Sequence, residues 1–445
     1  MTRKTRTLIV RGDLRSQTGW GRATRALVDV MRPNFSAVFG IDLHYSPVRS
    51  VMSVPFRIIG DRDIDLLVEC GLPLTILNCC LPHEYRYVPS AVNIGYFFWE
   101  TDKPAIGQGW LEFCAMMNQI WVPTEWQKGV VASWMQNTTG EPDIRIIPWP
   151  HQIAATDIQL AHSGPCIKVH RVLTPAELAR TEAWQETTEA RGRLPWLGSY
   201  IVQYAQRSQD RAVLDATASM LDLRASSIPI VFALQTDVPR KGLPVMIAEW
   251  LKFRRTSQHA TLLLRLSSID IAKGRSTLHV WLSRLVNRIN AEFGASDPGI
   301  LACYEHLSDG DLTACYQAAT AFVTATFGEG FGGPVVESVL AGTLPIVPAH
   351  TACASLLPKG YPLSVPTEPV VGRLVDELPL YPASGRWHVP KDGAIAETLA
   401  ALLSMEHATR ATWLDVCTDH LRSILAPDRV SELVREALYD LEAIQ

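Results

Sequence analysis

A chain of 445 residues is longer than one hydrophobic core comfortably serves, so two domains are expected. Apolar residues make up 47% and charged ones 19%, an ordinary globular balance, and a net charge of −4 excludes the strongly basic surface of a nucleic-acid binder. Nine cysteines with no C-x-x-C spacing argue against a disulfide framework or a zinc site and for reduced thiols in a cytoplasmic protein. Basic residues cluster near the start (Arg3, Lys4, Arg6, Arg11, Arg15, Arg22, Arg25). They read as a solvated face, with peripheral contact at the inner, cytosolic surface of a membrane as the alternative. The apolar run before Arg11 is too short for a signal peptide, and no stretch reaches the length of a membrane span.

Strand-like runs alternate with helical patterns, the rhythm of parallel α/β units. Thr7–Val10 reads as the first strand, and Ala23, Ala26, Leu27, Val30 and Met31 line one face of the helix that follows. Between them, Gly19-Trp20-Gly21 opens the helix with backbone N–H groups that favour an anion. A dinucleotide fingerprint needs a third small residue at position 24, where Thr24 stands, so a nicotinamide-dependent dehydrogenase is disfavoured. Further strands read at Leu74–Leu77, Ile94–Phe98, Ile120–Val122 and Ile144–Ile147, and Thr124 with Gln127 forms a capping box. This domain is expected to span residues 1–150, closing at Pro148-Trp149-Pro150.

Residues 151–227 are polar, carry short helical patterns such as Pro175–Ala183, and read as a helical insert or linker. A second α/β domain is expected over 228–405, with strands at Ile230–Leu234, Leu262–Leu266, Ile300–Tyr304, Phe322–Ala325 and Leu344–Val347. Leu278, Trp281, Leu282, Leu285, Val286 and Ile289 share one helical stripe. Residues 406–445 read as helices packing back toward the first domain, with Val430, Leu433, Val434, Ala437, Leu438 and Leu441 on one face. The fold class is therefore α/β, two Rossmann-like domains facing across a cleft, and ligands in such sheets bind beyond the carboxyl ends of the strands.

Two strand exits in the second domain carry chemistry. After Ile230–Leu234 comes Arg240-Lys241-Gly242, a planar fork and a point charge suited to a diphosphate. After Phe322–Ala325 comes Thr326-Phe-Gly-Glu-Gly-Phe-Gly-Gly-Pro334, with Glu329 in a loop of four glycines and Glu337 eight positions on, in the helix. Pro334 suits a first helical turn, and the glycines let N–H groups crowd an anion. Carboxylates accept strongly from hydroxyls, so Glu337 suits a ribose diol and Glu329 the hydroxyls of an attached sugar. Three Asp-x-Asp tripeptides (Asp61–Asp63, Asp63–Asp65, Asp309–Asp311) follow no apolar strand and read as chance, so no metal is expected.

The stretch Gly328-Glu329-Gly330-Phe331-Gly332, with Glu337, Ala341-Gly342-Thr343 and Pro345, resembles the E-x7-E signature of retaining glycosyltransferases of the GT-B fold, especially glycosyltransferase family 4. The resemblance implies a nucleoside-diphosphate sugar donor, no further cofactor, and a glycan or lipid-linked acceptor. It implies that Glu329 contacts the donor sugar, Glu337 the ribose, and Arg240 and Lys241 the leaving diphosphate. From the residues themselves, Gly330, Phe331, Gly332 and Gly333 read as donor-binding, and Gly19 and Gly21 as a donor-phosphate or acceptor-hydroxyl site or else a plain tight turn. His306 and Leu307, in Tyr304-Glu-His-Leu307, fall beside the base. On the acceptor side, Asn93-Ile-Gly-Tyr-Phe-Phe-Trp-Glu-Thr-Asp102 is similar to members that assemble bacterial polysaccharides. There Glu100 and Asp102 are candidates to orient the acceptor hydroxyl, and Trp20 and Trp99 to stack on sugar faces. For a histidine common in that neighbourhood, His83 and His151 are the nearest options here and neither is an evident equivalent. A nucleotide-sugar epimerase and a non-catalytic sugar-binding scaffold are the rival readings.

Overall fold

The computed structural model describes residues 6–16, 18–43, 52–105, 107–136, 138, 142–151, 166–181, 214–223, 228–257, 259–268, 274–372 and 381–443. The first domain is built on a seven-stranded parallel sheet: β1 (Thr7–Gly12), β2 (Ala37–Asp42), β3 (Arg57–Ile58), β4 (Leu74–Cys79), β5 (Val92–Tyr96), β6 (Gln119–Val122) and β7 (Asp143–Ile146). The spatial order is β3-β2-β1-β4-β5-β6-β7. All residues of β1, β4 and β5 are buried, as expected where helices cover both faces of a parallel sheet. The sequence pattern does not announce β2 and β3, which are only partly buried.

The second sheet contains β8 (Cys166–Arg171), β9 (Ala218–Asp222), β10 (Ile230–Thr236), β11 (Thr261–Ser267), β12 (Ile300–Cys303), β13 (Ala321–Val323), β14 (Pro345–Pro348) and β15 (Ser364–Val365). Its order is β15-β14-β13-β10-β11-β12-β8-β9, parallel except for β8 and β9. Those two strands correct the reading of residues 151–227 as a helical insert: part of that segment extends the second sheet by an antiparallel edge. Most of the Pro175–Ala183 pattern is a helix over 175–181, and the remainder of that pattern lies outside the described residues. A hairpin of β16 (Thr367–Val371) and β17 (Arg386–Pro390) stands apart from both sheets.

In each sheet the strand order reverses beside a central strand, and the loops leaving that point diverge to leave a crevice. In the first sheet β1 lies between β2 and β4, so the loop after β1 opens there. In the second sheet β10 and β13 are neighbours, and both of their exits open together. Arg240-Lys241 follows β10 and the glycine-rich loop follows β13. Topology therefore joins two loops nearly ninety residues apart in the chain, as a hydrogen bond from Phe327 N to Arg240 O (2.7 Å) records.

The helix Pro427–Ala443 crosses back to the first domain. Val430, Val434, Ala437 and Leu441 are buried at helical spacing in one cluster with Leu27, Val28 and Met31. Gln119 donates to Ala437 O (3.1 Å), and Arg145 pairs with Asp440 (2.7 Å). The linker is tied to the preceding helix, His407–Leu425, where His151 N donates to Leu425 O (2.9 Å). Among the described residues no helix is long and apolar enough to cross a membrane.

Candidate active site at the domain interface

Arg240 and Lys241 sit in a single 3-10 turn, Pro239–Lys241. Gly242 ends the turn at φ +66°, and a Cβ there would lie 2.2 Å from Ala325 O. Only glycine allows this turn to press so closely on the glycine-rich loop. Lys241 Nζ lies 2.5 Å from Glu329 Oε1, and Arg240 Nη1 lies 3.6 Å from Glu329 Oε2. Arg240 also donates to Gly328 O (3.2 Å). A small cavity adjoins these groups, with Lys241, Glu329 and Thr324 on its polar wall.

The first domain completes the cluster. Arg240 Nη2 reaches Glu100 Oε1 at 3.3 Å, and the other oxygen of Glu100 accepts from Tyr381 OH at 2.7 Å. Gly328 and Gly330 let the two domains meet: a Cβ would lie 2.5 Å from Glu100 O at the first and 2.7 Å from Phe98 Cβ at the second. Phe331 is buried against the adjoining rings of Trp149 and His151, with the His151 ring stacked at 5.6 Å, and approaches Phe98 at 6.5 Å. Two carboxylates and two cations thus converge at the seam, and each has an opposite charge in reach.

Burial pushes the Glu329 carboxyl up, but Lys241 and Arg240 outweigh it and hold the group below its ordinary value. Glu337 goes the other way. Burial raises it, and Arg22 offsets this only in part. Its carboxylate accepts from Tyr316 OH (3.2 Å) and meets Arg22 Nη1 (3.4 Å), whose Nη2 pairs with Asp309 (2.6 Å). Arg22 lies in the helix Gly19–Met31, so the first domain's glycine loop faces the helix Gly333–Leu340 across the seam.

No protein-family model and no curated protein matches the chain. Solved structures do match over almost the whole length. An E. coli trehalose-6-phosphate structure bound with UDP-2-fluoro glucose has a TM-score of 0.60 at 12% identity, covering 98% of both chains. Sucrose-phosphate synthase from Thermosynechococcus elongatus has a TM-score of 0.58 at 13% identity, covering 99% of this chain and 100% of its own. A UDP-forming trehalose-phosphate synthase from Burkholderia xenovorans, in complex with glucose-6-phosphate, has a TM-score of 0.57 at 13% identity, covering 98% and 100%. The chain has the GT-B fold.

Within the GT-B frame, only some of the expected residues meet. Glu329, Arg240, Lys241 and Glu100 share one cluster. Gly332 (φ +89°) turns the loop into the helix Gly333–Leu340, and Gly333 lies against the Trp149 ring. His306 is exposed at the exit of β12, with Leu307 half-buried beside it. Gly19 is open at its helix start, but Gly21 N is already taken by the Thr18 hydroxyl (3.1 Å), which caps the helix. Asp309–Asp311 begins the helix Asp309–Ala318, capped by Ser308. Asp61–Asp63 opens another helix, Asp61–Glu69. Among the described residues no group of three or more His, Cys, Asp or Glu is arranged to hold a metal ion.

Of the two tryptophans expected to stack on sugar faces, Trp99 needs correction. Trp99 is only 2% exposed, stacked on Tyr381 at 4.7 Å and packed edge-on to Trp110 at 4.5 Å, with its N–H given to Lys103 O. It is core and has no free face for a sugar. Trp20 is half-buried against Phe98 (4.6 Å) and keeps a partly open side. Asp102 also serves the structure as seen, accepting from Arg386 N (2.8 Å) and so tying the hairpin to the first domain. Of the two histidines, His151 stacks on Phe331, whereas His83 accepts from Trp110 Nε1 (3.1 Å) in the first domain. Tyr381, Arg22 and Tyr316 were missed. Only Arg22 had a sequence signal, its place directly after Gly21.

Proposed function

We propose that this chain is a glycosyltransferase that moves a hexose-type sugar from a nucleoside-diphosphate sugar to a glycan or lipid-linked acceptor, with retention of configuration and without a metal. The observation that carries the reading is the meeting of Arg240 and Lys241 with Glu329 at the switch point of the second sheet of a GT-B fold. A scaffold has no need of such a cluster. The bond from the anomeric carbon to the diphosphate oxygen breaks as the acceptor oxygen bonds to the same carbon on the same face. Negative charge grows on the leaving diphosphate, where fixed cations stabilise it most. The acceptor proton passes to a leaving phosphate oxygen, Glu329 holds hydroxyls of the transferred sugar, and Glu100 orients the acceptor.

The charges set a condition on donor binding. Arg240 is already shared between Glu100 and Glu329, so a diphosphate must compete for it. Exchange of Glu100 for phosphate leaves Glu100 held by Tyr381 alone among the contacts described above, and so available to the acceptor. Such an enzyme works in the cytoplasm and reaches a lipid-linked acceptor from the cytosolic membrane face. A sugar phosphate is the other acceptor class to test, given the glucose-6-phosphate in the Burkholderia xenovorans neighbour.

A thermal-shift screen of UDP, GDP and ADP with their glucose conjugates tests the donor, because ligands that prefer the native state raise its melting temperature. Transfer in excess EDTA, with the product's anomeric configuration read by NMR, tests the rest. Free epimerised donor without acceptor means an epimerase instead, and no shift with any nucleotide rejects the proposal.

A further inference from the structure

The backbone of Glu329 is gripped at both of its polar groups by two consecutive residues that the functional reading leaves unused. Glu329 N donates to Thr351 Oγ1 (3.1 Å), and Glu329 O accepts from Ala352 N (3.3 Å). Thr351 is almost fully buried and stands at φ +47°, the one non-glycine residue with positive φ among the described residues. A β-branched side chain resists the left-handed region, so the surroundings must hold it there.

His350 does so. Its Nε2 lies 3.0 Å from Thr326 O and its Nδ1 lies 3.0 Å from Thr351 Oγ1. A carbonyl only accepts, so the ring hydrogen sits on Nε2 and Nδ1 is an acceptor. The Thr351 hydroxyl therefore donates to His350 and is left to accept from Glu329. Every hydrogen bond in the chain Glu329 N–H, Thr351 O–H, His350 Nδ1 then has one direction. Burial, with His388 stacked at 5.1 Å, holds His350 neutral by lowering it to about 4, which keeps Nδ1 free to accept. His350 and Thr351 leave β14, whose exit lies beside that of β13. The left-handed turn puts the hydroxyl and the next N–H on one residue of the neighbouring loop, which an extended threonine does not do.

We propose that Thr351, locked by His350, is a positioning residue that fixes the Glu329 carboxylate against the transferred sugar. This rests on the glycosyltransferase reading. The test compares Thr351→Ser, Thr351→Ala and Thr351→Gly with the wild type, using UDP, GDP and ADP and their glucose conjugates in calorimetry. Thr351→Ser keeps the acceptor oxygen and should keep both affinities and turnover. Thr351→Ala and Thr351→Gly should keep the affinity for the nucleoside diphosphate, lose about tenfold for the conjugate, and lose more in kcat. Thr351→Gly, freed of the strained φ, should melt no lower than Thr351→Ala. Faster amide exchange at Glu329 in Thr351→Ala is the substrate-free readout.

Equal losses for nucleotide and conjugate, or failure of Thr351→Ser to restore turnover, overturn the positioning role. So does unchanged exchange at Glu329. A wild type that binds none of the conjugates removes the functional reading instead, and the two failures are thereby told apart.

Discussion

The two sides of the domain seam were read from similar cues and fold to different ends. On the donor side, charged residues in loops after β10 and β13 meet as charged residues, with Glu329 within 2.5 Å of Lys241 and 3.6 Å of Arg240. On the acceptor side, the aromatic strand exit supplies core. Trp99 is 2% exposed and its neighbour Asp102 ties down a hairpin, while Glu100 alone reaches the cluster. A buried charge needs a partner, so its neighbourhood is constrained and a candidate partner can be sought in the sequence. A tryptophan is satisfied by either a core or a sugar, and sequence does not choose between them.

The largest test of this contrast removes both cations. Arg240→Ala with Lys241→Ala should cut turnover about 10⁴-fold, or ~5 kcal/mol, if the pair stabilises a leaving diphosphate. The same change leaves Glu329 and Glu100 without their closest cations, so rates belong well below a lowered melting temperature, with circular dichroism confirming the fold. Full turnover would reduce the donor side to a structural ion-pair network. The matching test on the acceptor side is Trp99→Ala. It should cost about 3–4 kcal/mol of stability by chemical denaturation, as a buried ring lost from a packed cluster does. Trp20→Ala should cost only about 1 kcal/mol and act mainly on the acceptor KM. Equal stability losses at the two tryptophans would erase the distinction between core and surface.

These differences follow what was legible in the chain. The buried parallel strands read clearly because Ile230–Leu234 is apolar without alternation and Leu74–Leu77 is broken only by Thr75, as two covered faces demand. β8 did not: Lys168 and His170 break its apolar run, and its antiparallel partner β9 is mostly exposed or half-buried. The Glu329 loop was legible because strand, glycines, proline and helix are local. Tyr381 and Arg386 were not, since they act on Glu100 and Asp102 from 281 and 284 residues away. Nor does any sequence pattern announce that Thr351 takes a glycine-like φ.

A smaller effect sharpens the link between the two sides. Glu100→Gln removes the carboxylate that shares Arg240, so binding of the bare nucleoside diphosphate should tighten about fivefold in calorimetry. Turnover should fall in the same variant if Glu100 orients the acceptor as proposed. Tyr381→Phe keeps the charge and should leave nucleotide affinity unchanged while raising the acceptor KM. Weaker nucleotide binding in Glu100→Gln would mean that Glu100 positions Arg240 for phosphate, and the two sides would then cooperate where competition is expected.

The smallest effect separates Glu329 from Glu337, eight positions apart. Glu329 is held below its usual value of 4.5, so the folded state binds fewer protons than the unfolded one in acid. Its contribution is present above about pH 4.5 and is lost as pH falls through the depressed folded value. Glu337 is raised, so the folded state binds more protons, and stability declines as pH climbs from about 4.5 through the raised folded value. Melting curves between pH 3 and 7 should therefore diverge in opposite senses. Glu329→Gln should match the wild type in acid and fall behind it above about pH 4.5, as Lys241 and Arg240 lose their partner. Glu337→Gln should match the wild type in acid and draw ahead from about pH 4.5 upward, the gap levelling off once the folded wild-type carboxyl ionises. Arg22→Gln should enlarge that second difference, because Arg22 offsets part of the burial penalty on Glu337. Parallel curves for the two glutamine variants would show that one electrostatic environment spans the whole loop and helix, which the separate partners of the two carboxylates contradict.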